Sequence, residues 1–165
     1  MNIRFGFGQC SLGTTLVAAT ETGVCAILLG DHPEVLQREL YDRFPQASLV
    51  AGDAEFDPLV ARVAAFIEAP AQGLDLQLDM HGTPLQEQVW RALREIPAGH
   101  TVSYSEIAQR IGAPKEAQAI AEACAANAIA VAIPCHRVVR KNGGLGGYRW
   151  GFKRKRALLN LEAAA

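Results

Sequence analysis

Residues 101–128 read TVSYSEIAQRIGAPKEAQAIAEACAANA, and this stretch decides what kind of domain the second half of the chain forms. Ser103 with Glu106 three residues on is a capping box, in which each side chain satisfies a backbone N–H left over at a helix start. A short helix is expected from Ser103 to Gly112, where glycine supplies the C-cap. A second helix begins near Pro114 and ends around Asn127. Two helices joined through a glycine-containing turn form a helix-turn-helix pattern, with the second as candidate recognition element. Many helix pairs of this form bind nothing, so composition has to add to the pattern. Ala117, Ala119, Ala121, Ala123, Ala125 and Ala126 leave the second helix nearly bare of bulk. Inward alanines serve close packing. An outward alanine face lets the backbone approach another surface, including the floor of a narrow groove.

Toward the C-terminus, residues 133–140 read IPCHRVVR. A bland reading ends a strand at Pro134 and buries Cys135 as a small filler. A chemical reading places the thiol beside the imidazole of His136 and the guanidinium of Arg137, a positive field that favours the reactive thiolate. Gly143, Gly144, Gly146 and Gly147 then give the loop before Tyr148 freedom to close over a ligand. The net charge of −1 hides an asymmetry: residues 1–80 hold 4 basic and 11 acidic side chains, residues 81–165 hold 12 and 6. Between 137 and 156 there are eight basic residues and no acid. A basic half on a near-neutral chain points to a polyanion partner for that half alone. The run Lys153, Arg154, Lys155, Arg156 also reads as a solvated helix face.

Toward the N-terminus, TPLQEQVWRALREI has Thr83 as cap, Pro84 at the first helical position, and Leu85, Val89, Leu93 and Ile96 on one stripe. Further back, GTTLVAATETGVCAILLG holds two apolar β-branched runs around Glu21-Thr22-Gly23, a hairpin signal. Asp31 to Phe44 reads as a helix capped by Asp31, with Pro33 early, and Pro45 ends it. Phe56 to Ile67 reads as a second amphipathic helix, and LDLQLDM at 74–80 alternates as a half-buried strand does. This half offers no catalytic constellation and reads as scaffold. No apolar stretch approaches the ~18 residues needed to span a bilayer. MNIRFGFGQC lacks the apolar core of a secretory signal, so a cytoplasmic protein with reduced thiols is the expectation. A zinc site from Cys10, Cys25, His32 and His81 is conceivable, but no CxxC or HxxxH spacing supports it.

The stretch from Pro84 to Glu162, with SYxxIA at 103–108, Asn127 at a helix end, PCHRV at 134–138 and LxxE at its close, resembles the active-site domain of O6-alkylguanine-DNA alkyltransferases. GVCAILLGD at 23–31 is similar to the C-terminal domain of that family's bacterial adaptive-response members. The resemblance implies an α/β fold: an N-terminal α/β, ribonuclease H-like lobe with a small antiparallel sheet over 1–80. It is followed over 81–165 by an all-α, winged or helix-turn-helix-like domain carrying the active-site cysteine. It implies direct damage reversal in double-stranded DNA, with O6-alkylguanine and O4-methylthymine as substrates. A flipped base enters a pocket, a cysteine takes the alkyl group in one in-line displacement, and the protein is spent. Cys135 would be the nucleophile, His136 a base acting through water, and Glu162 the group that orients His136. Asn127 would tie the recognition helix to the active-site loop. Tyr104 would donate to the guanine ring as O6 leaves. The backbone at Cys135, Val138 and Arg149, with Tyr148, would line the base pocket. Minor-groove binding by a monomer would use Ala117, Ala119, Ala121, Lys115 and Gln118, with Arg137, Arg140 and Lys141 on phosphates. No cofactor, metal or membrane is implied. Taken singly, Tyr104 also reads as a cap on an apolar face, Asn127 as a plain helix end, and Glu162 as a solvated carboxylate.

One position departs from the family pattern. Ten residues after Ala108 the family carries an arginine that fills the gap left by the flipped nucleotide, and here the slot holds Gln118. That bears on base flipping and leaves the chemistry at Cys135 untouched. Two rivals stand beside transfer. One is a damage-sensing module that holds an alkylated base without accepting the group; such proteins lack the cysteine. The other is a helix-turn-helix transcriptional regulator.

Overall fold

The two apolar runs flanking Glu21-Thr22-Gly23 pair as expected. In the computed structural model, which describes residues 1–163, they form strands β2 (Gly13–Ala19) and β3 (Val24–Gly30). The hairpin does not stand alone. Residues Asn2–Cys10 form β1, antiparallel to β2, and Ser48–Ala51 form β4, parallel to β1. The sheet order is β3-β2-β1-β4, so it is mixed, where the sequence pointed to an antiparallel one. Strand β1 carries a period-two signal in Ile3 and Phe5, both buried, but Gly6 and Gly8 blank out the opposite face. Those glycines are where helix α2 (Asp57–Glu68) comes close: a Cβ on Gly8 would lie 2.9 Å from Val60. On the other face, α1 (Pro33–Arg43) sets Leu36 over Gly30. With both faces covered, β2 and β3 are apolar almost throughout, as in sheets buried on two sides.

Helix α1 starts at Pro33 with His32 in the cap position, so Asp31 does not cap it. The segment 74–80 is extended but is not a strand. Only Leu78 bridges to Val24, through Val24 N–H to the Gln77 carbonyl (2.9 Å) and Asp79 N–H to the Val24 carbonyl (2.8 Å). Its alternation reflects one side resting on β3, with no second strand to extend the ladder. Ala128–Ala130 bonds further along the same edge, through Ile27 N–H to the Ala128 carbonyl and Ala130 N–H to the Ile27 carbonyl, each 2.9 Å. Together these short segments satisfy backbone groups that an edge strand would otherwise expose. Met1–Met80 with Ala128–Ala130 form one compact unit, and His81–Asn127 with the chain from Val131 onward form the other.

In the second unit, helix α3 (Pro84–Leu93) opens on a Thr83/Gln86 capping box and α4 (Tyr104–Arg110) on the Ser103/Glu106 box. Helix α5 (Ala117–Ala126) starts three residues after Pro114, because Pro114–Glu116 forms a turn closed by Glu116 N–H on the Ala113 carbonyl. Trp90 on α3 donates its indole N–H to the Ala123 carbonyl of α5 (2.9 Å). This unit is not all-α. Val102–Ser103 (β5) pairs in parallel with Val138–Val139 (β6), strands too short to leave a periodic signal. Helix α6 (Phe152–Ala163) closes the described chain. Among the described residues no helix is long and apolar enough to cross a membrane.

Gly23 tests the edge contact in the first unit. A Cβ there would sit 2.5 Å from the Gln77 carbonyl oxygen, a backbone atom that cannot swing aside. Gly23→Ala is expected to destabilise the fold by about 1–3 kcal/mol through overpacking. Chemical denaturation measures it, and an unchanged midpoint would show that the 77–79 segment yields freely.

Candidate active site

Asn127 ends helix α5 with an extended backbone, and its side chain reaches forward to the reactive turn. Its amide Nδ2 donates to the Ile133 carbonyl (3.0 Å) and to the Sγ of Cys135 (3.4 Å). Between them Val131 holds a φ of 61°, rare for a β-branched residue, and turns the chain into Ile133-Pro134-Cys135. Cys135–Arg137 then form one turn of 3₁₀ helix, which sends three consecutive side chains in different directions.

Cys135 points into a cavity of about 250 Å³ lined by Tyr104, Ala121, Cys124, Ala125, Gly147, Tyr148 and Arg149. The space suits one heteroaromatic base. His136 turns away and is fully buried, with Nε2 2.8 Å from Oε2 of Glu162. Arg137 also reaches Glu162, donating from Nε to Oε1 (3.0 Å) and from Nη2 to Oε2 (2.7 Å), and from Nη1 to the Ile96 carbonyl (2.6 Å). Arg137 is therefore 6% exposed and not a surface phosphate contact, contrary to the sequence expectation. A buried carboxylate needs a compensating charge, and Arg137 supplies it.

The protonation states are set by burial and by partners. Burial would raise Glu162, but hydrogen bonds from His136 and Arg137 and the Arg137 charge hold it at about 2. As a carboxylate it can only accept, so His136 must carry its proton on Nε2, which leaves Nδ1 as the basic nitrogen. Burial lowers His136 below its ordinary 6.5 against the pull of Glu162, so the ring is neutral. Nδ1 is buried without a hydrogen-bond partner among the described residues. Burial raises the Cys135 thiol, and the Asn127 hydrogen bond with the Lys155 and Arg149 charges offsets part of that. The expected resting thiolate is thus replaced by a thiol, because burial penalises the charged sulfur by more than the Asn127 hydrogen bond and the Lys155 and Arg149 charges offset. Burial also raises Tyr104, which stays a phenol able to donate.

The remaining expected residues fall into groups. Val138 lies in β6, three residues past Cys135, and its carbonyl accepts from Lys155 Nζ (2.6 Å). Tyr148 stacks edge-on between His136 and Trp150, at 6.4 and 5.3 Å. Arg149 donates to the Asn127 carbonyl (3.2 Å). Gln118 is exposed on α5 and donates to Glu122 (3.5 Å), with Lys115 exposed just before the helix. Ala117 and Ala119 are half-buried, and Ala121 lines the cavity. Arg140 and Lys141 are exposed on the turn after β6. Cys10, Cys25, His32 and His81 are not assembled, since no group of three or more metal-capable side chains exists among the described residues. Three participants were not assigned to the site from the sequence: Cys124 and Ala125 in the cavity wall, and Lys155, which read as part of a solvated helix face but is fully buried. The spacing of Lys155, Leu158 and Glu162 on one helical face was the signal for the last.

Residues 84–164 match the model of the 6-O-methylguanine DNA methyltransferase DNA-binding domain. The chain is 50% identical over 161 residues to the bifunctional transcriptional activator/DNA repair enzyme Ada of Escherichia coli, covering 98% of this chain and 46% of that protein. It therefore spans about half the length of that relative. It is 37% identical to the inducible methylated-DNA–protein-cysteine methyltransferase of Bacillus subtilis, over 90% of this chain and 84% of that one. Among solved structures, Mycobacterium tuberculosis OGT in complex with DNA superposes with a TM-score of 0.78 at 32% identity, covering 99% and 94% of the two chains.

The Glu162 cluster should set the acid limit of stability. A carboxyl lowered from 4.5 to about 2 on folding contributes stability above pH 4.5 that is lost as pH falls toward 2. His136, lowered from 6.5, adds a loss that begins below pH 6.5, as the unfolded chain takes up the proton first. Glu162→Gln should cost about 3 kcal/mol at neutral pH by leaving the Arg137 charge unpaired. It should also flatten the pH dependence below 4.5, and denaturation midpoints across pH 2–7 check both.

Proposed function

Because the chain belongs to the methylated-DNA–protein-cysteine methyltransferase family, we propose that it transfers an alkyl group from O6-alkylguanine in double-stranded DNA to Cys135, once per molecule. The observation that carries this is a base-sized cavity ending on a buried thiol, with a neutral, carboxylate-oriented imidazole on the next residue. An alkyl ether carbon is a poor electrophile, so a soft, ionised sulfur is needed at the moment of attack. In the displacement, Sγ bonds to the alkyl carbon as the carbon–O6 bond breaks. The thiol proton passes through a water to Nδ1 of His136, whose new charge faces Glu162. The electron pair goes to the guanine ring, which takes a proton from the Tyr104 phenol, and the proton held on His136 returns through water to Tyr104. Thiol and O6-alkylguanine thus become thioether and neutral guanine, and no cofactor enters. The stable thioether gives no route back, hence one turnover.

O4-methylthymine presents the same alkyl-ether chemistry and would react in the same way. Residues 1–80 act as an α/β scaffold of ribonuclease H-like form, and 81–165 as a winged helix-turn-helix domain for DNA. Helix α5, with small residues at Ala117 and Ala121, would lie in the minor groove, and Arg140 and Lys141 are the exposed cations near β6. A monomer suffices, since the cavity is lined within one unit. Free cysteines and a DNA substrate fit the cytoplasm. Simple retention of an alkylated base, without transfer, would leave the thiol at the end of the cavity unexplained.

Incubation with labelled O6-methylguanine duplex should move label to Cys135 and stop at one equivalent. Cys135→Ala should abolish transfer while keeping DNA binding. Label on Cys10, Cys25 or Cys124 would overturn the assignment. Gln118 generates a second expectation. Glutamine cannot plug a vacated base stack as arginine does, and if the missing plug costs about 1–2 kcal/mol, duplex repair is slowed roughly 5- to 30-fold. Gln118→Arg should recover that factor on duplex and leave reaction with the free methylated base unchanged. Glu122 lies one turn on and would hold a new guanidinium, so the pair Gln118→Arg with Glu122→Ala should gain more than the single change.

A further inference from the structure

Lys155 belongs to the most basic run in the chain, yet its side chain is fully buried while its neighbours Lys153 and Arg156 are exposed. Helical spacing explains the difference: Lys155, Leu158 and Glu162 form the inward face of α6. A buried ammonium normally pairs with a carboxylate. This one is held by carbonyls instead. Its Nζ donates to the Val138 carbonyl (2.6 Å) in β6 and to the Gly147 carbonyl (3.1 Å) in the cavity wall. Two neutral acceptors from separate segments hold a whole positive charge in place.

We propose that Lys155 is a positioning residue whose charge, held by the Val138 and Gly147 carbonyls beside the cavity, favours the thiolate of Cys135 during alkyl transfer. The inference rests on the transfer reading for its purpose but not for its geometry. The other groups facing the sulfur do not replace it. Tyr104 on α4 and Cys124 on α5 are neutral with raised pKa values, burial being the main cause. Tyr148 is likewise held neutral by burial. His136 is neutral, Arg137 is spent on Glu162, and Arg149 is partly committed to the Asn127 carbonyl. Burial lowers Lys155 itself, while Cys135 and Cys124 pull it up and exposed Arg140 pulls it down. In a low-dielectric wall a fixed ammonium acts on the sulfur more strongly than it would in water. The field offsets only part of the cost of burial, so the sulfur at rest is a thiol.

The test uses Lys155→Met, which keeps the stem and removes the charge, and Lys155→Gln, which keeps a donor for one carbonyl. The pH dependence of Cys135 modification by iodoacetamide, read peptide by peptide by mass spectrometry, reports the thiol without any DNA. Its midpoint should rise by about one unit in both variants, and transfer from methylated duplex at neutral pH should slow roughly tenfold, the thiolate fraction falling tenfold per unit. Raising the pH should restore both rates. A deficit equal at all pH values, or no deficit, would overturn the proposal in favour of a packing role. If wild-type protein transfers nothing to Cys135, the function reading fails, while the iodoacetamide profile still decides the role of Lys155. Wild-type protein with labelled lysine gives an independent reading by NMR. Methylating Cys135 removes any thiolate, so the Lys155 titration midpoint should fall, and an unmoved midpoint overturns the coupling even if neither variant folds.

Discussion

A carboxylate with almost no exposure cannot stay charged unless donors surround it, and Glu162 draws three parts of the second unit together to meet that need. His136 and Arg137 come to it from the 3₁₀ turn, and Arg137 extends on to the carbonyl of Ile96. Once Glu162 faces inward, the rotation of α6 is set. Two turns earlier Lys155 must face inward as well, with Leu158 packed between them. One buried charge thereby decides the tautomer of the base, the loss of a surface cation, and the burial of a second ammonium near the nucleophile.

The same arrangement makes the site quiet at rest. Nothing near Cys135 is both charged and fully free: the guanidinium at 137 is paired, the imidazole is neutral, and the phenols at 104 and 148 keep their protons. Low dielectric penalises a lone thiolate, so the proton leaves only when a proton acceptor and an electrophile are both in line. The Asn127 amide contributes by contacting the sulfur and the Ile133 carbonyl together, linking the end of α5 to the reactive turn. A shift of that helix would be felt at the sulfur.

Much of this was legible from residue order. Both capping boxes, the glycine turn between α4 and α5, the hairpin at 13–30 and the triplet Cys135-His136-Arg137 are local patterns, and local patterns are set by neighbours a few residues apart. The pairing of His136 with Glu162 entered through family resemblance and is realised at 2.8 Å. The features that residue order hid share a cause, which is dependence on distant segments. Strand β1 was hidden because Gly6 and Gly8, needed for the approach of α2, erase one half of its alternation. The false strand at 74–80 had the alternation, but it pairs with β3 only through the single bridge at Leu78. Strands β5 and β6, two residues each, exist only because distant segments meet.

For charged side chains the division is sharper. Residue order determined where positive charge is dense and which residue types could do thiol chemistry, since both depend on side-chain identity alone. It did not determine which cations face water. Arg137 and Lys155 are indistinguishable in composition from Arg140 and Lys153, yet the first two are buried and the others exposed. Only tertiary structure decided that, because the sign and size of an electrostatic effect depend on burial and on partners 25 residues away, such as Glu162 for Arg137. The same dependence turned the expected thiolate into a thiol. Burial of the sulfur outweighs the positive field read from its neighbours in sequence.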